Sequence, residues 1–97
     1  MAPDTLNKVK VFIRISHNKL DQDITDDIDG CLADLRTHGI VHKDDTDPLI
    51  LNAIKLYCKS IYIDDVTKSA EYLRRYEKMR DTLKAAKGYG WEAGTDE

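Results

Sequence analysis

The stretch Asp47–Tyr62, DPLILNAIKLYCKSIY, decides how this chain is read. Its first two residues mark a helix start: an aspartate side chain can accept the unpaired amide hydrogens of a first turn, and proline at the first helical position loses no hydrogen bond. From there Leu49, Ile50, Leu51, Ala53, Ile54, Leu56, Tyr57, Cys58, Ile61 and Tyr62 nearly encircle the helix, and Asn52, Lys55 and Lys59 form the one narrow polar stripe. A helix apolar on most sides must be wrapped by others. At about fourteen residues, and interrupted by lysines, it is too short and too basic to span a bilayer. The wrapping therefore comes from the rest of the chain or from neighbouring copies.

Upstream, Asp4 or Thr5 can cap a first helix over about residues 5–15, with Leu6, Val9, Ile13 and Phe12 on its apolar face and Lys8, Lys10 and Arg14 in water. Ser16, His17 and Asn18 break the period, and Asn18 offers the next cap. A second helix over about residues 19–38 places Leu20, Ile24, Ile28, Cys31, Leu32 and Leu35 on one stripe. Gly39 supplies the left-handed residue that stops it, and Gly30 within it predicts close approach of another helix. Ile40 to Asp47, with the charged run His42-Lys43-Asp44-Asp45, reads as a solvated loop. Downstream, Asp64-Asp65 and Thr67 mark a turn and a cap for a fourth helix over about residues 68–87, whose stripe is Tyr72, Tyr76, Met79, Leu83 and Ala86, supported by Leu73. Gly88 ends it. Residues 89–97 have no periodicity and a charged end, so they read as a flexible tail beyond a helical domain at 1–88.

Four helices with short connections and no alternating strand make an all-α, four-helix bundle-like single domain. The 97 residues leave no room for a second core, and 41% hydrophobic with 34% charged residues is a composition that folds. Cys31 and Cys58 both fall on apolar stripes, which reads as reduced, buried thiols of a cytosolic protein.

The net charge of −3 is mild, but its distribution is not: residues 1–47 hold six basic and ten acidic side chains, whereas Thr67–Lys87 holds seven basic and three acidic. On the second helix Asp23, Asp26 and Asp27 share a face as possible metal or acid/base ligands. No EF-hand ligand order, glutamate–histidine pairing, CxxC or HxxxH accompanies them, so a solvated face matched to the helix dipole, or contact with a basic neighbour, is the reading. His17, His38 and His42 do not form a zinc set. No GxSxG, phosphate-binding glycine loop or Cys-His pairing with an orienting group is present, so the chain reads as no enzyme, with no metal and no cofactor. Arg74, Arg75 and Lys78 on the fourth helix invite a nucleic-acid reading, diluted by Glu71, Glu77 and Asp81. Tyr89 and Trp91 in the tail either fold back on the core or anchor in a partner. Acidic and basic ends together suit head-to-tail association, acidic second helix against basic fourth.

The order of LNKVKVFIRI, DDIDGCLADLRTHGI, DPLILNAIKLYCKSIY and YLRRYEKMRDTLKAAKGYG resembles the small head-tail connector proteins, also called adaptor or DNA-packaging proteins, of tailed bacteriophages of Gram-positive hosts, over about residues 5–90. The resemblance implies an all-helical, non-catalytic virion neck protein made in the host cytoplasm. It would form a homo-oligomeric ring, twelve-fold on the portal, that extends the DNA channel and docks a downstream neck, stopper or tail protein. It also implies transient, sequence-blind DNA contact, and it favours Tyr89 and Trp91 as the portal anchor; the mild net charge, independently, gives no argument for a membrane partner. The residue-based alternative is a small nucleic-acid-binding regulator that uses the fourth helix.

Overall fold

The computed structural model describes residues 1–90, and Trp91 with the rest of 91–97 lies outside the described residues. Four helices follow in chain order: α1, Thr5–Ile13; α2, Asp21–Thr37; α3, Pro48–Tyr62; and α4, Val66–Ala85. The all-α reading holds, and among the described residues the one extended pairing is a single antiparallel bridge between Ile40 and Gly90. The molecule measures 47 × 31 × 18 Å.

α3 is the axis of the fold, packed against each of the other three helices. Asp47 caps it as its sequence predicts: the side chain accepts from the Leu49 and Ile50 amides at 3.1 and 3.3 Å, with Pro48 in the first turn. Ile50, Ala53, Ile54 and Cys58 are fully buried. Around them close Val9 and Ile13 from α1, Ile24, Ile28, Cys31 and Leu35 from α2, and Tyr76 and Leu83 from α4. Tyr72, Met79 and Ala86, placed on the α4 stripe, are half-buried, and Leu73 is exposed.

Both thiols are free and buried. Desolvation pushes each up to about 12, with a smaller contribution at Cys58 from the Asp27 charge. Such thiols stay protonated and inert as nucleophiles near neutral pH.

Several boundaries differ from the periodicity, each for a local reason. α1 ends at Ile13 because Arg14 turns left-handed (φ 63°), and the Ile15 amide then reaches back to the Lys10 carbonyl at 3.0 Å. Asp4 makes no side-chain cap, and the Thr5 hydroxyl is committed elsewhere. α2 starts at Asp21 after Leu20, and Asn18 contributes its carbonyl to the Asp21 amide rather than a side-chain cap. α4 starts at Val66 because Asp65 caps it, accepting from the Lys68 amide at 3.0 Å. Gly39 (φ 86°) ends α2 as expected. A Cβ added at Gly30 would stand 3.9 Å from the Tyr57 hydroxyl on α3, an ordinary contact, so no helix backbone depends on its absence.

Because Ile54 is fully buried in the core, Ile54→Ala should cost about 2–5 kcal/mol, whereas Val11→Ala at an exposed position of α1 should stay within about 0.5 kcal/mol. Urea unfolding of the two variants measures the contrast.

Candidate interaction surfaces

The most connected polar group is Asp34, near the end of α2. Its Oδ2 accepts from the Tyr76 hydroxyl at 2.6 Å and from the Arg80 guanidinium at 2.9 Å, one helical turn apart on α4. On its own helix, the His38 ring nitrogen sits 2.8 Å from the Asp34 carbonyl and 3.7 Å from its carboxylate. Tyr76 is held edge-on against Tyr57 at 5.1 Å between ring centroids, and the Arg80 guanidinium stands 5.6 Å over the Tyr76 ring. Partial burial works to raise the Asp34 carboxyl, but the Tyr76 and Arg80 hydrogen bonds and the guanidinium charge outweigh it and hold its pKa below the ordinary value. Burial first, then the bond to Asp34, pushes the Tyr76 phenol far up. This cluster fastens α2 to α4 as a clamp, and it leaves no free base or nucleophile.

Two shorter clasps hold the ends of the described residues. The loop read as solvated is not so throughout, since Ile40 and Asp45 are buried. Asp45 is tolerated there because its carboxylate accepts from the Thr5 hydroxyl at 2.5 Å and the Ala2 amide at 2.6 Å. At the other end, the Val41 and His42 amides donate to the Tyr89 carbonyl at 2.8 and 3.0 Å, and the Tyr89 hydroxyl donates to Asp47 Oδ2 at 3.0 Å. Tyr89 and Gly90 thus lie against the domain. A Cβ on Gly90 would stand 1.7 Å from the Gly39 carbonyl oxygen, so the clasp admits no side chain there.

The other sequence-predicted residues divide between the two sides of the bundle. On α2, Asp23 and Asp26 are exposed; Asp26 accepts only from its helix neighbour Gln22, and Asp27 accepts from the Tyr62 hydroxyl at the end of α3. On α4, Arg74, Arg75 and Lys78 are all exposed. The structure does not bring the acidic and basic sets together within one subunit: among the described residues the ion pairs are Lys10–Asp21 and Arg80–Asp34. The Asp34 clamp and the Asp45 clasp were not among the predicted sites. Asp34 had a faint signal, standing beside Leu35 and one turn from Cys31 at the margin of the apolar stripe.

Among the described residues no group of three or more His, Cys, Asp or Glu could hold a metal ion, and no helix is long and apolar enough to cross a membrane. A cavity of about 470 Å³ opens between the N-terminus, the end of α2 and the 40–46 loop. The Asp45 carboxylate on its wall is already engaged by Thr5 and Ala2.

A family described as phage connector protein matches residues 5–90, and the chain belongs to that family. It is a structural head-tail connector component of the phage neck, and the family is structural rather than enzymatic. No curated protein and no solved structure gives a significant match.

Two predictions follow from the clamp and the clasp. Asp34→Asn and Tyr76→Phe should each destabilise the fold by about 1–2 kcal/mol at neutral pH, at the lower end for Asp34 because its side chain is partly solvated. Since the folded pKa of Asp34 lies below the unfolded value near 3.9, its contribution is complete above that value and is lost as pH falls through the folded pKa. The stability gap between wild type and Asp34→Asn, from urea titrations at stepped pH, should therefore close in acid. Gly90→Ala should detach the C-terminal clasp and leave the helices intact. Amide exchange at Val41 and His42 should accelerate while helical circular dichroism stays unchanged.

Proposed function

We propose that copies of this chain form a ring beneath the phage portal, twelve-fold on the portal, which extends the DNA channel and receives the next neck, stopper or tail component. The observation that carries this reading is family membership over residues 5–90. The charge distribution supports it. A ring closes through heterologous contacts, in which each subunit offers two different complementary patches, and Asp23 and Asp26 on α2 and Arg74, Arg75 and Lys78 on α4 are exposed charges of opposite sign. DNA moving through such a ring is held weakly and without sequence preference by phosphate contacts alone, and a net charge of −3 suits that task.

Tyr89 and Trp91 are the proposed portal anchor. In the free subunit the Tyr89 hydroxyl is bonded to Asp47 at the start of α3, so portal engagement by Tyr89 exchanges one hydrogen bond for another. Trp91 supplies the large aromatic surface typical of interface hot spots.

Native mass measured alone and with the portal ring of the same phage tests the reading. Wild type should give a multi-copy complex on the portal, and Trp91→Ala should weaken portal binding at least tenfold, the loss of about 1.4 kcal/mol. A protein indifferent to the portal that retards duplex DNA, with a salt slope reporting several phosphates, would instead favour a nucleic-acid-binding regulator using α4.

A further inference from the structure

The polar stripe of α3 is not simply wet. The Lys55 and Lys59 ammonium groups stand 6.0 and 5.8 Å from the centroid of the Phe12 ring on α1. Lys59 is also 6.0 Å from the Tyr72 ring on α4, and the Arg75 guanidinium lies 5.1 Å from that same ring. The Lys59 ammonium further donates to the Phe12 carbonyl at 3.4 Å. Three helices thus build one ladder of alternating cations and rings across the side of α3 that α2 leaves open. Among the described residues none of these three cations has a carboxylate within ion-pair distance. Ring faces offset part of the repulsion between like charges, so the ladder concentrates positive charge without neutralising it. Phe12 is 36% exposed and its neighbour Val11 78%, which gives the ladder an apolar border.

We propose that this ladder, Phe12, Lys55, Lys59, Tyr72 and Arg75, seats the outer face of α2 from a second copy of this chain. The inference rests on the ring reading and names the surfaces that close it. The complement is Asp23, Asp26 and Asp29, all exposed and none in an ion pair among the described residues. They recur every third residue and span about 9 Å of helix, against about 6 Å from Lys55 to Lys59, which Arg75 extends. Their direction also fits. Ile24 and Ile28 turn α2 toward the core, and Asp26, two residues from each, points about 160–200° away. One subunit therefore presents acid on the far side of α2 and base on the uncovered side of α3, as head-to-tail closure requires. Duplex DNA is the weaker occupant, because Glu71, Glu77 and Asp81 interrupt the basic residues of α4.

The test counts copies of full-length protein per portal ring by native mass, for wild type, Lys59→Glu/Arg75→Glu, Asp26→Lys/Asp29→Lys, and the chain carrying all four changes. Each double variant should retain its helical circular dichroism and lose multi-copy assembly at least tenfold in the concentration required. The fourfold variant, with both patches reversed, should recover it. Multi-copy wild type with unaffected double variants overturns the ladder and leaves the ring reading standing. So does a Lys59→Glu/Arg75→Glu variant that assembles normally but loses retention of duplex DNA. A wild type that never reaches more than one copy per portal overturns the ring reading itself.

Discussion

The apolar circumference of α3 is the constraint on which the structure depends. A helix with Ile50, Ala53, Ile54 and Cys58 fully buried needs cover on several sides, and the described residues offer only three other helices with which to provide it. α1, α2 and α4 all pack on α3, whereas α2 and α4 share little direct packing. Their relative position is set instead by one carboxylate. Asp34 reaches from α2 to Tyr76 and Arg80 on α4, and Tyr76, itself buried, is braced edge-on by Tyr57 of α3. The clamp works because Tyr76 and Arg80 satisfy the Asp34 carboxylate at the margin of the core, where an unpaired aspartate would cost more than it contributes.

What was legible in the sequence was what is local. Asp47-Pro48, the stripe of α2 and the stop at Gly39 each depend on residues within a turn or two, and the structure realises all of them. The buried thiols follow from the same periodicity. What was not legible depends on contacts 40 or so positions apart. Nothing near Asp45 announces that Thr5 and Ala2 will cover it, and a run of four charged or ionisable residues looks wet from any local view. Asp34 was hidden among other aspartates, and only the fold, by setting it opposite the Tyr76 and Arg80 turn of α4, separates it from the solvated ones. At α1 the local signal was outvoted: the helical pattern continues through Arg14, yet the chain turns there to enter α2.

The distribution of ion pairs carries functional meaning. A third of the residues are charged, yet among the described residues the ion pairs between always-charged cations and carboxylates involve Lys10, Asp21, Asp34 and Arg80 alone. The Lys10–Asp21 and Arg80–Asp34 pairs fix helix to helix. Charge left outside is only partly segregated by sign: acid prevails on the first half of α2, and base outnumbers acid on α4, where Glu71, Glu77 and Asp81 are also exposed. Segregation of that kind adds little to the stability of a monomer, since exposed charges interact weakly through water. Its physical effect is to orient encounters between molecules and to disfavour wrong pairings.

The two readings of Tyr89, folding back or anchoring outward, are compatible once the bonds are weighed. The C-terminal clasp consists of two amide bonds to the Tyr89 carbonyl and one phenol bond to Asp47. Both Tyr89 and Gly90 remain only half-buried, and hydrogen bonds of partly exposed groups are worth little more than the water contacts they replace. Asp47 would not be stranded if the phenol left, because its carboxylate keeps the Leu49 and Ile50 amides. The cap of α3 therefore persists whichever way Tyr89 points. A partner offering comparable bonds could take this segment at small net cost, while the core around α3 stays as it is.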